Sequence, residues 1–204
     1  CRFSMMKAYV LSSDVLAKEA KMLEEAGLDE ITIMDSAGTM LPEEAEEYSR
    51  KLCETVKIPV AFHCHNNLGL SVANALAAEK GGATVFDCGL MGMARSAGNC
   101  ATELAAAVFQ RYGAMEYVDL YALLDFIDKE LAPAMEGVYH APVKPQDLVY
   151  GLAGCHSNFA KLFEAAAQEK GVHLYKLIAE VSKIDRKAPT KELIEQVADR
   201  MKEA

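Results

Sequence analysis

The chain has 204 residues, 51% of them apolar and 25% charged, the balance of a packed globular protein rather than a disordered one. Thirty acidic against 21 basic side chains leave a net charge of −9, which argues against sequence-independent binding to nucleic acid or to an anionic membrane. No apolar run approaches the ~20 residues of a membrane span. The six cysteines (Cys1, Cys53, Cys64, Cys88, Cys100 and Cys155) form no CxxC pair and read as a reduced, cytoplasmic set.

In chain order, residues 3–6 are the first strand candidate. Ser12 or Ser13 caps a helix on which Leu16, Ala20 and Leu23 recur at helical spacing, and Gly27 ends it. Ile31–Met34 reads as a buried strand. Pro42 suits the first turn of the next helix, with Glu43 and Glu44 at its positive end. Ile58–His63 is the third strand and 70–79 its alanine-rich helix. Ala83–Cys88 is the fourth strand, followed by a loop and a helix over 101–111. Strand starts near 31, 59 and 84 give units of the length of a βα repeat, and repeated βα units imply a parallel sheet covered by helices. After Gly113 the pattern turns helical, with helices expected over 117–131, 159–180 and 190–203 and no convincing strand. The division expected is therefore 1–112 and 113–204.

Three strings carry chemistry. In Phe62-His63-Cys64-His65-Asn66-Asn67-Leu68-Gly69, strand alternation sends His63 and His65 to the same side at the strand's C-terminal end. That end is where α/β folds place their active sites. Two imidazoles one pleat apart suit a shared divalent metal completed by a carboxylate from elsewhere; a hydrogen-bonded histidine pair is the plainer alternative. In Met34-Asp35-Ser36-Ala37-Gly38, Ser36 and the following amides suit a substrate carboxylate, while Asp35 is either a ligand or an orienter of the loop. The competing reading is an ordinary βα turn. In Gly92-Met93-Ala94-Arg95-Ser96-Ala97-Gly98-Asn99, Arg95 suits an anion and Asn99 can face the metal, although the loop lacks both GxGxxG spacing and a P-loop lysine. Cys100 reads as a buried apolar residue. His156, in a polar break between helices, is a site residue or a cap, whereas His140 and His173 read as surface residues.

These strings, taken with FSMM near the start and VDLYALLD after the third loop, resemble the 4-hydroxy-2-oxovalerate aldolase family, a pyruvate-dependent division of the metal-dependent lyases and aldolases. The resemblance implies the second half of a TIM (β/α)₈ barrel, about four βα units equivalent to strands 5–8, followed by a helical C-terminal extension. It implies a divalent metal, manganese first with magnesium or cobalt as alternatives, held by His63 and His65. It further implies cleavage of 4-hydroxy-2-oxoacids to pyruvate and an aldehyde, with the pyruvate moiety held through the backbone of Ser36. Asp35, Asn67 and Asn99 would support the ligands from behind, and the helical extension would dock an acylating aldehyde dehydrogenase. His156 stands where the family carries a tyrosine returning to the active site, so it is the catalytic candidate. Arg95 stands where the family has a small residue and is a substrate-binding candidate.

The family's Arg-Asp strand, which supplies the third ligand, has no counterpart in the sequence. A complete barrel takes roughly 250 residues. Together with the start at Cys1, this leads to the expectation of the C-terminal portion of a longer enzyme, or of a half that pairs with another chain. Two other functions compete: an acyl-CoA-type metallolyase of the hydroxymethylglutaryl-CoA lyase kind, and a non-catalytic docking module.

Overall fold

The computed structural model describes residues 1–135 and 145–203. Four parallel strands, β1 (Arg2–Met5), β2 (Glu30–Asp35), β3 (Val60–Cys64) and β4 (Val85–Asp87), lie side by side in chain order. Each is followed by a helix: α1 (Ser13–Glu25), α2 (Pro42–Thr55), α3 (Ser71–Lys80) and α4 (Thr102–Arg111). The local signals are those the sequence carries. Ser12 Oγ accepts from the Val15 amide, and Pro42 opens α2 while the Glu44 carboxylate accepts from the Leu41 amide at 2.8 Å.

Strand alternation divides the sheet into two unlike faces. Ile31 and Ile33 of β2 and Val60 and Phe62 of β3 turn toward the helices and pack with Leu16, Leu52, Ala75 and Ala78. The opposite face carries Ser4, Thr32, Ala61, His63 and Asp87 in successive registers. Arg2 lies across this face. Its Nε donates to Thr32 Oγ1 at 2.6 Å and pairs with Glu30 Oε1 at 2.7 Å, while Nη2 reaches Asp87 Oδ1 on the far strand at 2.8 Å. The small Ala61, in register between Thr32 and Val85, leaves room for that crossing.

The C-terminal part has its own core. Phe163, Leu177, Ile178, Val181, Ile194 and Val197 pack together from α8 (Ala160–Lys170), α9 (Leu174–Ile184) and α10 (Lys191–Glu203), with Tyr150 from α7 (Pro145–Ala153). No strand occurs there among the described residues, as expected. Two expectations need correction. The single helix over 159–180 is broken at Gly171, whose φ of +70° ends α8, and α9 restarts at Leu174. The helix expected over 117–131 is α5 (Leu120–Phe126) running into a π-helical segment (Ile127–Leu131) and α6 (Ala132–Ala134). Helix α7, where no element was expected, opens on Pro145. No described helix is long and apolar enough to cross a membrane.

The two cores meet over the C-terminal ends of the strands. Gly151 of α7 lies so close to the 66–69 turn that a Cβ there would sit 2.9 Å from Asn67 Cβ. Arg186 Nη2 donates to Tyr9 O at 3.3 Å, and Lys7 Nζ lies 5.4 Å from the Phe159 ring centre.

Candidate active site

The site is built on the end of β3. The rings of His63 and His65 are 5.4 Å apart at 73°, on one side of the chain, as strand alternation requires. Each imidazole is anchored at Nδ1: His63 Nδ1 lies 3.4 Å from Asp87 Oδ2, and His65 Nδ1 lies 3.2 Å from Gly98 O. That anchoring leaves Nε2 of both rings for a ligand, the arrangement by which a carboxylate or carbonyl orients a metal-binding histidine. The Asp87 carboxyl is itself held low by the His63 ring and by Arg2, so it stays a carboxylate. Burial, then Arg95 and His63, push His65 down to about 4, keeping it neutral.

Backbone contacts lock this strand end on both sides. The His65 amide donates to Asp35 O at 3.1 Å and the Asn66 amide to Gly98 O at 2.8 Å. Gly38, at φ +61°, carries the β2 loop directly over it: a Cβ at Gly38 would lie 2.6 Å from both Asn67 N and His65 O. Asn66 Oδ1 accepts from the Ser71 amide at 3.2 Å, tying the motif to α3. Asn67 Nδ2 donates to Ser96 Oγ at 2.8 Å, tying it to the third loop.

The other candidates divide. Asn99 pairs with His65 through an isolated bridge, and its buried Oδ1 has no hydrogen-bond partner among the described residues. Asp35 is in register with Cys64, so its carboxyl turns to the helix side, away from the imidazoles. There its two oxygens accept from the amides of Thr39 and Met40, both at 3.0 Å. Burial raises it to about 6 against those amides. These contacts hold the Asp35 carboxyl within its own loop. The buried Ser36 Oγ accepts from the Lys7 amide at 3.0 Å, tying the loop after β2 to the one after β1.

The structure brings Arg95 and His156 together. Arg95 Nη1 lies 3.4 Å from His156 Nδ1 and donates to Ser157 Oγ at 3.2 Å. His156 is 1% exposed, and its Nδ1 also accepts from the Asn158 amide at 3.1 Å. An Nδ1 that accepts from a backbone N–H cannot carry the proton, so the neutral ring has Nε2–H, a buried donor with no partner. Burial and the Arg95 charge push this imidazole down to about 4. Tyr9 adds a second buried, unpartnered group: burial pushes its hydroxyl well above the ordinary phenol range, so it is a neutral phenol. Cys100 is buried and His173 is exposed, both as expected, and His140 lies outside the described residues.

Sequence reasoning missed Asp87, Arg2, Lys7 and Tyr9. Asp87 had a usable signal, since it ends a strand neighbouring the His63 strand. Lys7 and Tyr9 had none, because a non-repeating loop after β1 brings them to the site.

Two imidazoles anchored at Nδ1, beside an unpartnered amide oxygen, fit a divalent cation of the zinc-to-manganese type in donor chemistry. Among the described residues no third His, Cys, Asp or Glu converges with them into a metal-holding group.

A parallel βα sheet ending in such a paired-imidazole site defines a class, and the sequence matches it: residues 1–129 fit the HMGL-like family, and the chain belongs to that family. Among curated relatives, the protein named 4-hydroxy-2-oxovalerate aldolase in Chloroflexus aurantiacus is 36% identical over 195 residues, 95% of this chain and 56% of that protein. The protein of the same name in Pectobacterium atrosepticum is 39% identical over 168 residues, 82% of this chain and 48% of its own length. The chain thus spans about half the length of the curated relatives it matches. Among solved structures, the carboxyl transferase domain of Rhizobium etli pyruvate carboxylase with pyruvate and biocytin superposes with a TM-score of 0.74 at 16% identity. That match covers 93% of this chain and 35% of the other. This likeness is one of fold, and it agrees with part of a TIM barrel followed by helices.

Proposed function

We propose that the chain carries one side of a divalent-metal aldolase site, which cleaves 4-hydroxy-2-oxoacids such as 4-hydroxy-2-oxovalerate to pyruvate and an aldehyde. The observation that carries this reading is the His63–His65 pair, its rings 5.4 Å apart and each held at Nδ1. His63 and His65 would hold the cation, with Asn99 Oδ1 beside them and a carboxylate from outside the described residues completing the set. When bound, manganese, or magnesium or cobalt in its place, supplies Lewis acidity toward the 2-oxoacid as the C3–C4 bond breaks.

The chain's own groups do the rest. The backbone over Ser36–Gly38 receives the pyruvate carboxylate, with Asp35 holding that loop by its Thr39 and Met40 contacts. His156 Nε2–H donates to the C4 oxygen and fixes the carbon–carbon bond in line for cleavage. In this tautomer His156 orients and polarises that oxygen. It does not take the 4-hydroxyl proton, because protonation at Nδ1 would break the Asn158 contact. The helices of the C-terminal core are the surface on which an acylating aldehyde dehydrogenase would dock to receive the aldehyde. Six free cysteines suit a reducing cytoplasm.

Titration of the ¹⁵N-labelled chain with manganese tests the centre directly. The His63 and His65 ring signals are expected to broaden at metal ratios that leave exposed His173 sharp; equal broadening of all three overturns the assignment. Exchange of the pyruvate methyl protons for deuterium, dependent on manganese and lost in His63→Ala and His65→Ala, is the corresponding activity.

A further inference from the structure

We propose that the aldehyde side of this site is built for a second, distal carboxylate, so that the substrate is a 4-hydroxy-2-oxo dicarboxylate and Arg95 reads its far end. This rests on the aldolase reading above and names the substrate class of that site.

The charge distribution is the first argument. The chain is strongly acidic, yet three cations gather where the 154–159 loop meets the end of β1, and none has a carboxylate partner among the described residues. Among the described residues the Arg95 guanidinium hydrogen-bonds to the neutral His156 Nδ1 and Ser157 Oγ. Lys7 Nζ donates to Lys187 O and lies over the Phe159 ring. Arg186 donates to Tyr9 O, with its guanidinium 5.8 Å from the Tyr9 ring centre. The acids nearby are otherwise engaged: Asp35 holds the amides of its loop, and Asp185 Oδ1 accepts from the amides of Lys187 and Ala188. Burial of His156 and Tyr9 beneath these cations leaves Nε2–H and a phenol hydroxyl without partners, two neutral donors beside an uncompensated positive field. Cations held only by neutral acceptors, with no carboxylate among them, suit an anion.

Position decides which anion. The pyruvate carboxylate is assigned to the Ser36–Gly38 loop after β2. Arg95 comes from the loop after β4, on the other side of the His65–Asn67 segment, which both loops grip. A group bound there belongs to the C4 end of the substrate. A neutral aldehyde would leave the exposed Arg95 guanidinium without a counter-charge, whereas a distal carboxylate meets it as a charge-assisted, two-point hydrogen bond. The reaction is unchanged in kind: the C3–C4 bond breaks, the 4-hydroxyl proton goes to a base, and C3 gains a proton to give pyruvate. The leaving aldehyde carries the carboxylate.

The test compares binding of 2-oxoglutarate and 2-oxobutyrate to the chain by calorimetry with magnesium present. These probes share the 2-oxoacid end and differ in the distal carboxylate. The expected result is at least about tenfold tighter binding of 2-oxoglutarate, a ratio that collapses toward unity in Arg95→Met and survives in part in Arg95→Lys. Equal affinities in the unaltered chain overturn the proposal and leave the aldolase reading standing. A ratio that persists in Arg95→Met also overturns it, since the preference for the distal carboxylate would then not come from Arg95. If neither probe binds, the aldolase reading falls, and this inference with it.

Discussion

His156 shows how far one side chain is defined by its neighbours. Its sequence context permitted a site residue or a helix cap. The structure makes it both, since Nδ1 caps the short helical turn at Ser157–Phe159 while Nε2–H faces inward without a partner. A histidine whose native pKa lies below its unfolded value destabilises the fold on acidification. The penalty is absent above about 6.5, grows as pH falls and is complete near the native value of about 4. The chain is therefore expected to be less stable at pH 4.5 than at pH 7.5, with on the order of 1 kcal/mol of that difference owed to this residue. Denaturant melts at the two pH values should show a smaller gap in His156→Gln. What was legible at this scale followed from strand parity. His63 and His65 share a face because they are two residues apart, and nothing distant can change that. Asp87 obeys the same parity, but its pairing with His63 depends on strand register, which one strand's sequence does not contain.

At the scale of elements, the β2 loop is the strictest part of the site. Gly38 combines a left-handed backbone with backbone atoms 2.6 Å from where a Cβ would be. Gly38→Ala is expected to cost about 2–4 kcal/mol, because both the strain and the displaced His65–Asn67 backbone must be accommodated. A urea midpoint measures the loss. The imidazole ring shifts of His63 and His65 should move in the same variant, while those of exposed His173 stay in place. Caps and periodicity made α1 to α4 legible almost to the residue. They failed where tertiary packing competes: Gly171 ends a helix that apolar spacing alone would carry onward. Asp35 belongs here too. Sequence left it between ligand and loop orienter, and the side of the sheet its carboxyl takes comes from its register with Cys64, which one strand's sequence does not contain.

At the scale of the whole molecule, β1 and β4 are the edge strands of the sheet among the described residues. One of its faces is covered by α1 to α4, while the other carries the Arg2 network. Beside β1, Phe3, Met6 and Met22 are exposed at 47%, 57% and 69%. An uncapped strand flanked by apolar side chains recruits another strand. Light scattering at tens of micromolar is accordingly expected to give a mass above the 22.2 kDa of one chain, with Phe3→Lys returning it toward that value. The βα repeat was legible in the spacing of the strands, as was the change to helices after Gly113. The seam between the two cores was not, because Lys7, Tyr9, Gly151 and Arg186 are brought together by folding rather than by any spacing. That seam has a thermal consequence. The proposed substrate contacts draw on both cores, Ser36 and Arg95 from the sheet and His156 from the helices. Among the described residues the ties between the cores are side-chain contacts rather than shared strands, such as two ring–cation contacts, the Arg186–Tyr9 O hydrogen bond and the contacts of Arg95 with His156 and Ser157. A gentle warming that parts the cores while each stays folded would erase binding first, so function should fade several degrees before circular dichroism records any loss of helix.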